Sequence, residues 1–150
     1  MSTFSIELAW RRTTPDFDYK TFDRGHIWYL ACGQTVQGSA APEFSGDPEK
    51  SNPEEALLAA LSSCHMLTFL SIAALKKLVV ESYEDEPLAE LGKNEKGKMM
   101  VSRVTLRPKV VFGGETVPDA ETVVELHRKA KENCFIGNSL LSPVVLEPQF

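Results

Sequence analysis

Cysteine is scarce in this sequence, with three residues, Cys32, Cys64 and Cys134, in a chain of 150. Three cysteines do not make a disulfide scaffold. None belongs to a C-x-x-C pair, so the spacing excludes a zinc ribbon and a thioredoxin motif. The chain also starts without the basic and apolar blocks of a signal peptide. We therefore expect a cytoplasmic protein, in which a disulfide tends to be catalytic or redox-sensing.

Positive charge and histidine are also limited. The formal net charge is −5, which argues against a nucleic-acid binder, because such proteins usually carry a basic face. The three histidines, His26, His65 and His127, do not have the spacing of a metalloprotease or a zinc finger. Structural or supporting roles are favoured for them over metal ligation, and no metal or other cofactor is expected.

One stretch carries no formal charge over twenty residues, Ala56 to Leu75, about the length of a membrane span. The polar residues within it, among them Ser62 and His65, favour a buried central helix over a membrane segment. The start of this helix is clearly marked: Asn52 is an N-cap, Pro53 takes the first helical position, and Glu55 can close a capping box.

The predicted helix is apolar most of the way round, and Leu57, Leu61, Cys64 and Thr68 form one continuous stripe along it. Such a helix must be enclosed on several sides, and the strands of one chain can cover only part of it. This motivates the hypothesis of a second subunit.

Apolar and polar residues alternate in several short segments, which predicts strands before and after the helix. The length suits one domain, 1–150, of α+β class. The predicted strands are Phe4 to Arg11, Asp18 to Asp23, His26 to Cys32, Leu88 to Gly97 with its hairpin turn, Met99 to Phe112 with an interruption near Pro108, and Val144 to Leu146. A loop is predicted over Gln37 to Ser51, and an acidic exit from the long helix over Tyr83 to Pro87. A second helix is predicted over Pro118 to Glu132, and a short third helix around Asn138.

The residues alone leave the chemistry open. Cys64 and Cys134 are favoured as buried small hydrophobic side chains, with a reactive pair as the alternative. Cys32 lies in a predicted strand and is favoured as a small side chain with a packing role only. Arg24 is either a surface arginine or a cation that lowers the pKa of a thiol.

Glu54 complements the helix dipole, and its alternative role is to hold an arginine by a bidentate pair. About 15 Å of helix separates Glu54 from Cys64. Glu54 would therefore have to act through Arg24 or on the Cys64 of a second subunit.

Taken together and in order, these segments resemble the OsmC/Ohr proteins. The match consists of N-P-E-E at Asn52 to Glu55, Cys64 ten residues after Glu54, the Arg24-Gly25-His26 turn, Gly46-Asp47, and C-F-I-G-N-S from Cys134. The C-H pair at Cys64 and the segment Tyr83-Glu84-Asp85 resemble one branch of the family.

The resemblance implies an OsmC-like fold, with an antiparallel sheet wrapped around a long buried cysteine-bearing helix in an intertwined homodimer. It also implies a thiol-dependent peroxidase for organic hydroperoxides. Cys64 would attack the peroxide and become a sulfenic acid, Cys134 would resolve it as a disulfide, and an external dithiol would reduce that disulfide. Arg24 would stabilise the thiolate, and Glu54 would orient Arg24.

Two other functions are compatible with the same residues. The first is a dimer that binds a small apolar ligand, with the cysteines as lining. The second is a redox sensor in which a Cys64–Cys134 bond changes the surface presented to a partner. The His-Met-Leu-Thr run after Cys64 departs from the aromatic-aliphatic run expected in the hydroperoxide-resistance enzymes, which bears on substrate and turnover.

Overall fold

The computed structural model describes residues 1–150, which fall into two units, Met1–Ala56 and Leu57–Phe150. It contains both helices and sheets, so the predicted α+β class is confirmed. The elements are β1 Ile6–Ala9, β2 His26–Leu30, β3 Thr35–Gly38, a 3₁₀ helix Pro42–Phe44, α1 Pro53–Leu75, β4 Val79–Glu84, β5 Leu88–Lys93, β6 Met99–Leu106, β7 Lys109–Gly113, α2 Ala120–Asn133, α3 Phe135–Asn138 and β8 Val144–Leu146.

The first unit contains an antiparallel sheet in the order β1-β2-β3. Gly38 on β3 pairs with His26, and a Cβ there would lie 2.7 Å from both His26 Nε2 and Trp28 Nε1. This position therefore requires glycine for close packing rather than for its backbone angles. The sequence pattern does not predict strand β3, because the loop predicted over Gln37 to Ser51 includes its last two residues, Gln37 and Gly38.

The predicted strand Asp18 to Asp23 is wrong, since these residues form turns. The amide groups of Thr21 and Phe22 both donate to the Asp18 carbonyl, at 3.1 and 3.0 Å. The Asp18 side chain also accepts from the Lys20 amide at 2.9 Å. An aspartate that bonds to the backbone two residues later favours a turn, and this local bonding outweighs the alternating pattern.

The second unit contains two sheets, β4-β7 and β5-β6-β8. The pairs β4–β7 and β5–β6 are antiparallel, whereas β6 and β8 run parallel, so the antiparallel arrangement does not extend to β8. Between β6 and β8 the chain passes through β7, α2 and α3, which gives it the long connection that a parallel pair needs. The sequence pattern does not predict strand β4 either. The predicted acidic exit from the helix over Tyr83 to Pro87 is wrong at its start, because Tyr83 and Glu84 are the last residues of β4.

Helix α1 begins as its sequence predicts. The Asn52 side chain accepts from the Glu55 amide at 2.9 Å, and the Asn52 amide donates to the Glu55 carboxylate at 3.3 Å, which is a closed capping box. At its other end Lys77 has a φ of 58°, and the Leu78 amide donates to the Ala73 carbonyl at 3.0 Å. This left-handed residue stops the helix.

The buried row of α1 differs from the predicted stripe. It consists of Leu61, His65, Phe69 and Ala73, each four residues after the one before, and only Leu61 belongs to both sets. All other positions of the helix are half-buried or exposed in the single chain. Helix α1 is long and apolar enough to cross a membrane by length and composition alone, a test that the core helix of a soluble protein also passes.

Two apolar clusters hold the second unit together along this row. Leu61 packs with β6 and with Cys134, and Phe69 and Ala73 pack with α2. The buried members are Leu61, Val104, Leu106 and Cys134 in the first cluster, and Phe69, Ala73, Leu126 and Ala130 in the second.

Candidate functional site

The two candidate thiols meet in the first of these clusters. Cys64 projects from α1 and is half-buried, whereas Cys134 lies between α2 and α3 with only 1% of its surface exposed. Cys134 ends α2 in an extended conformation and caps α3, where its sulfur accepts from the Gly137 amide at 3.4 Å. The turn between the two helices therefore fixes the position of the buried thiol, against which Cys64 packs in the same apolar cluster.

The surroundings of the two sulfurs give them opposite acidities. Burial opposes ionisation of Cys64, but hydrogen bonds from the Ile136 amide, the Cys134 thiol and the Phe135 amide outweigh it and hold the Cys64 pKa below its usual value. Burial raises the pKa of Cys134 to about 11, and the hydrogen bond to Cys64 and the charge that forms there contribute to the rise. Cys64 is therefore the thiol that ionises first.

Thr68 lies one helical turn after Cys64 and also contacts it. The Thr68 hydroxyl donates to the Cys64 backbone carbonyl at 2.8 Å. A hydroxyl has one proton to donate, so while this bond is made Thr68 contributes little to a Cys64 thiolate. The amide groups at the start of α3 and the Cys134 thiol provide the stabilisation.

Arg24 is held in the first unit by its own loop. Its guanidinium donates to the carbonyls of Phe22 at 3.0 Å and Tyr19 at 2.7 Å. The same group lies 3.9 Å from the centre of the Phe22 ring, a cation–π contact. These contacts position the arginine without any carboxylate partner.

Glu54 lies in the same unit, in the first turn of α1. Its Oε2 atom is buried and makes no hydrogen bond. Arg24 and Glu54 line one cavity of about 380 Å³, whose other walls are mostly apolar and include Trp10 and Phe44. The structure therefore brings this predicted pair to one pocket, but no ion pair joins them. The pair belongs to the first unit and the two cysteines belong to the second.

His65 and His127 form a buried pair that the sequence did not reveal. His65 Nε2 and His127 Nδ1 are 3.0 Å apart, and the planes of the two stacked rings differ by an angle of 7°. Each residue is 1% exposed. Burial lowers the pKa of each histidine to about 4, so both are neutral at pH 7. His65 could have been recognised from its place in the row of residues spaced by four.

The remaining candidates, His26 and Cys32, belong to the first unit. His26 bonds through Nδ1 to the Arg24 carbonyl at 2.8 Å and so supports the arginine loop. Cys32 is exposed. No group of three or more potential metal ligands occurs in the structure.

Comparison with known proteins places these features in a family. Residues 46–149 match the family described as OsmC-like protein. An OsmC-like protein of unknown function from Vibrio cholerae is similar over 99% of this chain and 100% of its own, with 43% identity and a TM-score of 0.95. The organic hydroperoxide resistance protein OhrB of Bacillus subtilis is similar in fold over 97% and 98% of the two chains, with 20% identity and a TM-score of 0.70.

A curated relative, the uncharacterised protein YmaD of Bacillus subtilis, is 24% identical over 127 residues, which are 83% of this chain and 84% of that protein. Together with the solved structures, these matches confirm the predicted OsmC-like fold.

Proposed function

Since the chain belongs to the OsmC-like protein family, we propose that it is a thiol-dependent peroxidase that reduces organic hydroperoxides. The observation that carries the proposal is the contact between Cys64 and Cys134, in which a sulfur of lowered pKa faces a buried thiol of raised pKa. A low pKa supplies the nucleophilic thiolate, and a protonated neighbour is held ready for the second step.

The reaction proceeds in two steps, an oxidation of Cys64 by the hydroperoxide and a condensation of the oxidised sulfur with Cys134. The Cys64 thiolate attacks the terminal oxygen of the hydroperoxide, the O–O bond breaks, and the alkoxide that leaves takes up a proton to become an alcohol. Cys64 is then a sulfenic acid. Cys134 attacks its sulfur, the S–O bond breaks, and the proton of the Cys134 thiol leaves with the hydroxide as water. An external dithiol supplies the two electrons that restore both thiols.

The pocket with Arg24 and Glu54 supports an organic rather than an inorganic peroxide. Its mostly apolar walls suit a hydrocarbon tail, and the guanidinium suits a developing oxygen anion. The Oε2 atom of Glu54 is buried and makes no hydrogen bond, so it offers a free acceptor to the Arg24 guanidinium in the same pocket. In this role Arg24 stabilises the thiolate and the departing oxygen.

A homodimer and a cytoplasmic location complete the proposal. Large apolar side chains remain exposed in the single chain on both β1 and α1: Ile6 is 59% exposed, Leu8 62% and Leu67 59%. Such surfaces are typical of a subunit interface. In an intertwined dimer the Arg24 pocket of one protomer can lie beside the partner's Cys64. Glu54, which is too far from Cys64 along one helix, could then act on the thiol of the other subunit.

Counting thiols after a peroxide pulse tests the chemistry. Reduced protein is mixed with equimolar cumene hydroperoxide, and free thiols are titrated. The proposal expects loss of two thiols in each chain, no such disulfide in Cys64→Ser, and sulfenic or higher acids in Cys134→Ser. Cys32→Ser is the matched control and should still lose two thiols. Arg24→Ala should slow the first step.

The same measurements separate the two alternatives. Wild-type protein that keeps all three thiols under a modest peroxide excess would rule out catalysis and favour a binding protein, for which the apolar pocket is the supporting observation. Disulfide formation without sustained turnover in the presence of a dithiol would indicate a redox sensor.

A further inference from the structure

A second cavity, of about 270 Å³, opens beside the thiol pair within the second unit. Its walls include Cys134, His65 and Lys131, together with Asn138 and Ser142, and Cys64 is not part of them. One of its polar side chains, His65, is 1% exposed. The cavity therefore lies against Cys134, the buried one of the two thiols, and not against Cys64.

We propose that this cavity, which we call the Cys134 cavity, is the site where an external thiol with an anionic group attacks the sulfur of Cys134 in the oxidised protein. The proposal rests on the peroxidase function given above, because it assigns the place and direction of the reductive half of that cycle. Hydroperoxide and reductant would thus reach the disulfide from different sides, one at Cys64 and the other at Cys134.

The polar wall determines which thiols the cavity accepts. His65 is neutral at pH 7 and is held by His127, so it offers a hydrogen bond without a charge. The Lys131 ammonium is the one charged group on the wall, and it is close enough to lower the pKa of His65. A cation favours both the incoming thiolate and a second negative group on the same molecule.

The chemistry of the leaving group also favours attack on the sulfur of Cys134. Thiol–disulfide exchange is faster when the departing sulfur has the lower pKa, and Cys64 is that sulfur. The reductant thiolate forms a bond to the Cys134 sulfur, the Cys64–Cys134 bond breaks, and Cys64 leaves as a thiolate. The second thiol of the reductant then closes on the first, and Cys134 leaves and takes up its proton. The reductant loses two electrons and the protein gains two.

Mapping the mixed disulfide tests the direction. The protein disulfide is formed with diamide, which needs no peroxide chemistry, and is then exposed to 2-mercaptoethanesulfonate with iodoacetamide present to trap the released cysteine. Trypsin separates the cysteines into Ser51–Lys76, which contains Cys64, and Glu132–Phe150, which contains Cys134. The probe mass should appear on Cys134 and the alkyl group on Cys64. A reversed pattern, or an equal mixture, overturns the proposal.

Changing the charge of the wall tests the chemical class of the reductant. Lys131→Glu should slow reduction of the preformed disulfide by 2-mercaptoethanesulfonate by about 5- to 10-fold relative to neutral 2-mercaptoethanol, and should favour cationic cysteamine. Lys129→Glu makes the same charge change on α2 outside the cavity and should leave this ratio as in wild type. Equal effects of the two variants would show a general influence of net charge and would overturn the site. Because diamide forms the disulfide, both outcomes are independent of whether the protein reduces peroxides.

Discussion

At the scale of single residues, the buried histidine pair and the thiol pair show how neighbours set the charge of a side chain. His65 and His127 share one hydrogen bond between α1 and α2, and they stay neutral because protonation of either would place a charge in the core. Cys64 is different, because amide groups and a thiol donate to its sulfur and favour its ionised form. The same helix thus suppresses one charge and supports another on consecutive residues.

The histidine pair makes the stability of the protein depend on pH. Both pKa values are lower in the folded chain, about 4, than the unperturbed 6.5, so between these values the unfolded chain binds protons that the folded chain does not. Stability is therefore complete above about pH 6.5 and falls as the pH falls towards 4. From pH 7.5 to 5 we expect a loss of about 2 kcal/mol for one histidine.

Urea unfolding at the two pH values measures this loss. The double variant His65→Leu/His127→Leu should lose less stability than wild type over the same interval, whatever its stability at pH 7.5. His26→Asn alters a histidine outside the pair and should retain the wild-type pH dependence. A double variant with an unchanged pH dependence would mean that other groups cause it.

At the scale of elements, local hydrogen bonds explain which helix and strand boundaries could be predicted from the sequence and which could not. The start of α1 could be predicted because Asn52, Pro53 and Glu55 each favour the same end of the same helix. The break at Pro108 likewise separates β6 from β7. The turn after Asp18 was missed because its side-chain bond to the backbone leaves no trace in an alternating pattern.

At the candidate site, the features that the sequence does not predict depend on contacts between elements. The family resemblance implies a Cys64–Cys134 pair, but the amide groups that lower the Cys64 pKa come from α3, a four-residue helix whose orientation depends on the turn at Cys134. Hydrophobicity does not distinguish the stripe through Cys64 from the buried row through His65. Only the packing of β6 and α2 makes that choice.

The capping box of α1 should contribute measurably to stability. Asn52→Ala removes the side-chain acceptor for the Glu55 amide and should lower the free energy of unfolding by about 1 kcal/mol. Ser63→Ala, an exposed position of the same helix, is the matched control and should change stability by less than about 0.5 kcal/mol. Urea unfolding of both variants at pH 7.5 gives the comparison, and equal stabilities would show that the cap is not needed.

At the scale of the whole molecule, apolar side chains of β1 and of α1 remain exposed in the single chain. The alternating residues of β1 predicted a half-buried strand, yet all four of its residues are exposed. Helix α1 was predicted to be buried, yet its buried residues in one chain are the four of a single row. Both differences have one explanation under the proposed homodimer, in which a partner subunit covers these faces.

Sedimentation of the wild type and of an interface variant tests that explanation. At tens of micromolar the wild type should sediment as a dimer. Ile6→Asp places a charge on the apolar face of β1 and should weaken the dimer by about 100-fold, because a charge is costly to bury without a partner. Glu7→Gln, at the adjacent position of the strand, is the control and should remain dimeric. A monomeric wild type would leave the exposed faces without this explanation.

The position of Cys134 between two helices has a consequence for chain connectivity. A bond from Cys64 to Cys134 closes a covalent ring that contains the second half of α1, the strands β4 to β7 and all of α2. A polymer closed in this way has fewer disordered conformations available than the open chain. Under the proposed chemistry each turnover therefore opens and closes a ring around most of the second unit, and the protein alternates between two chain topologies that share one fold.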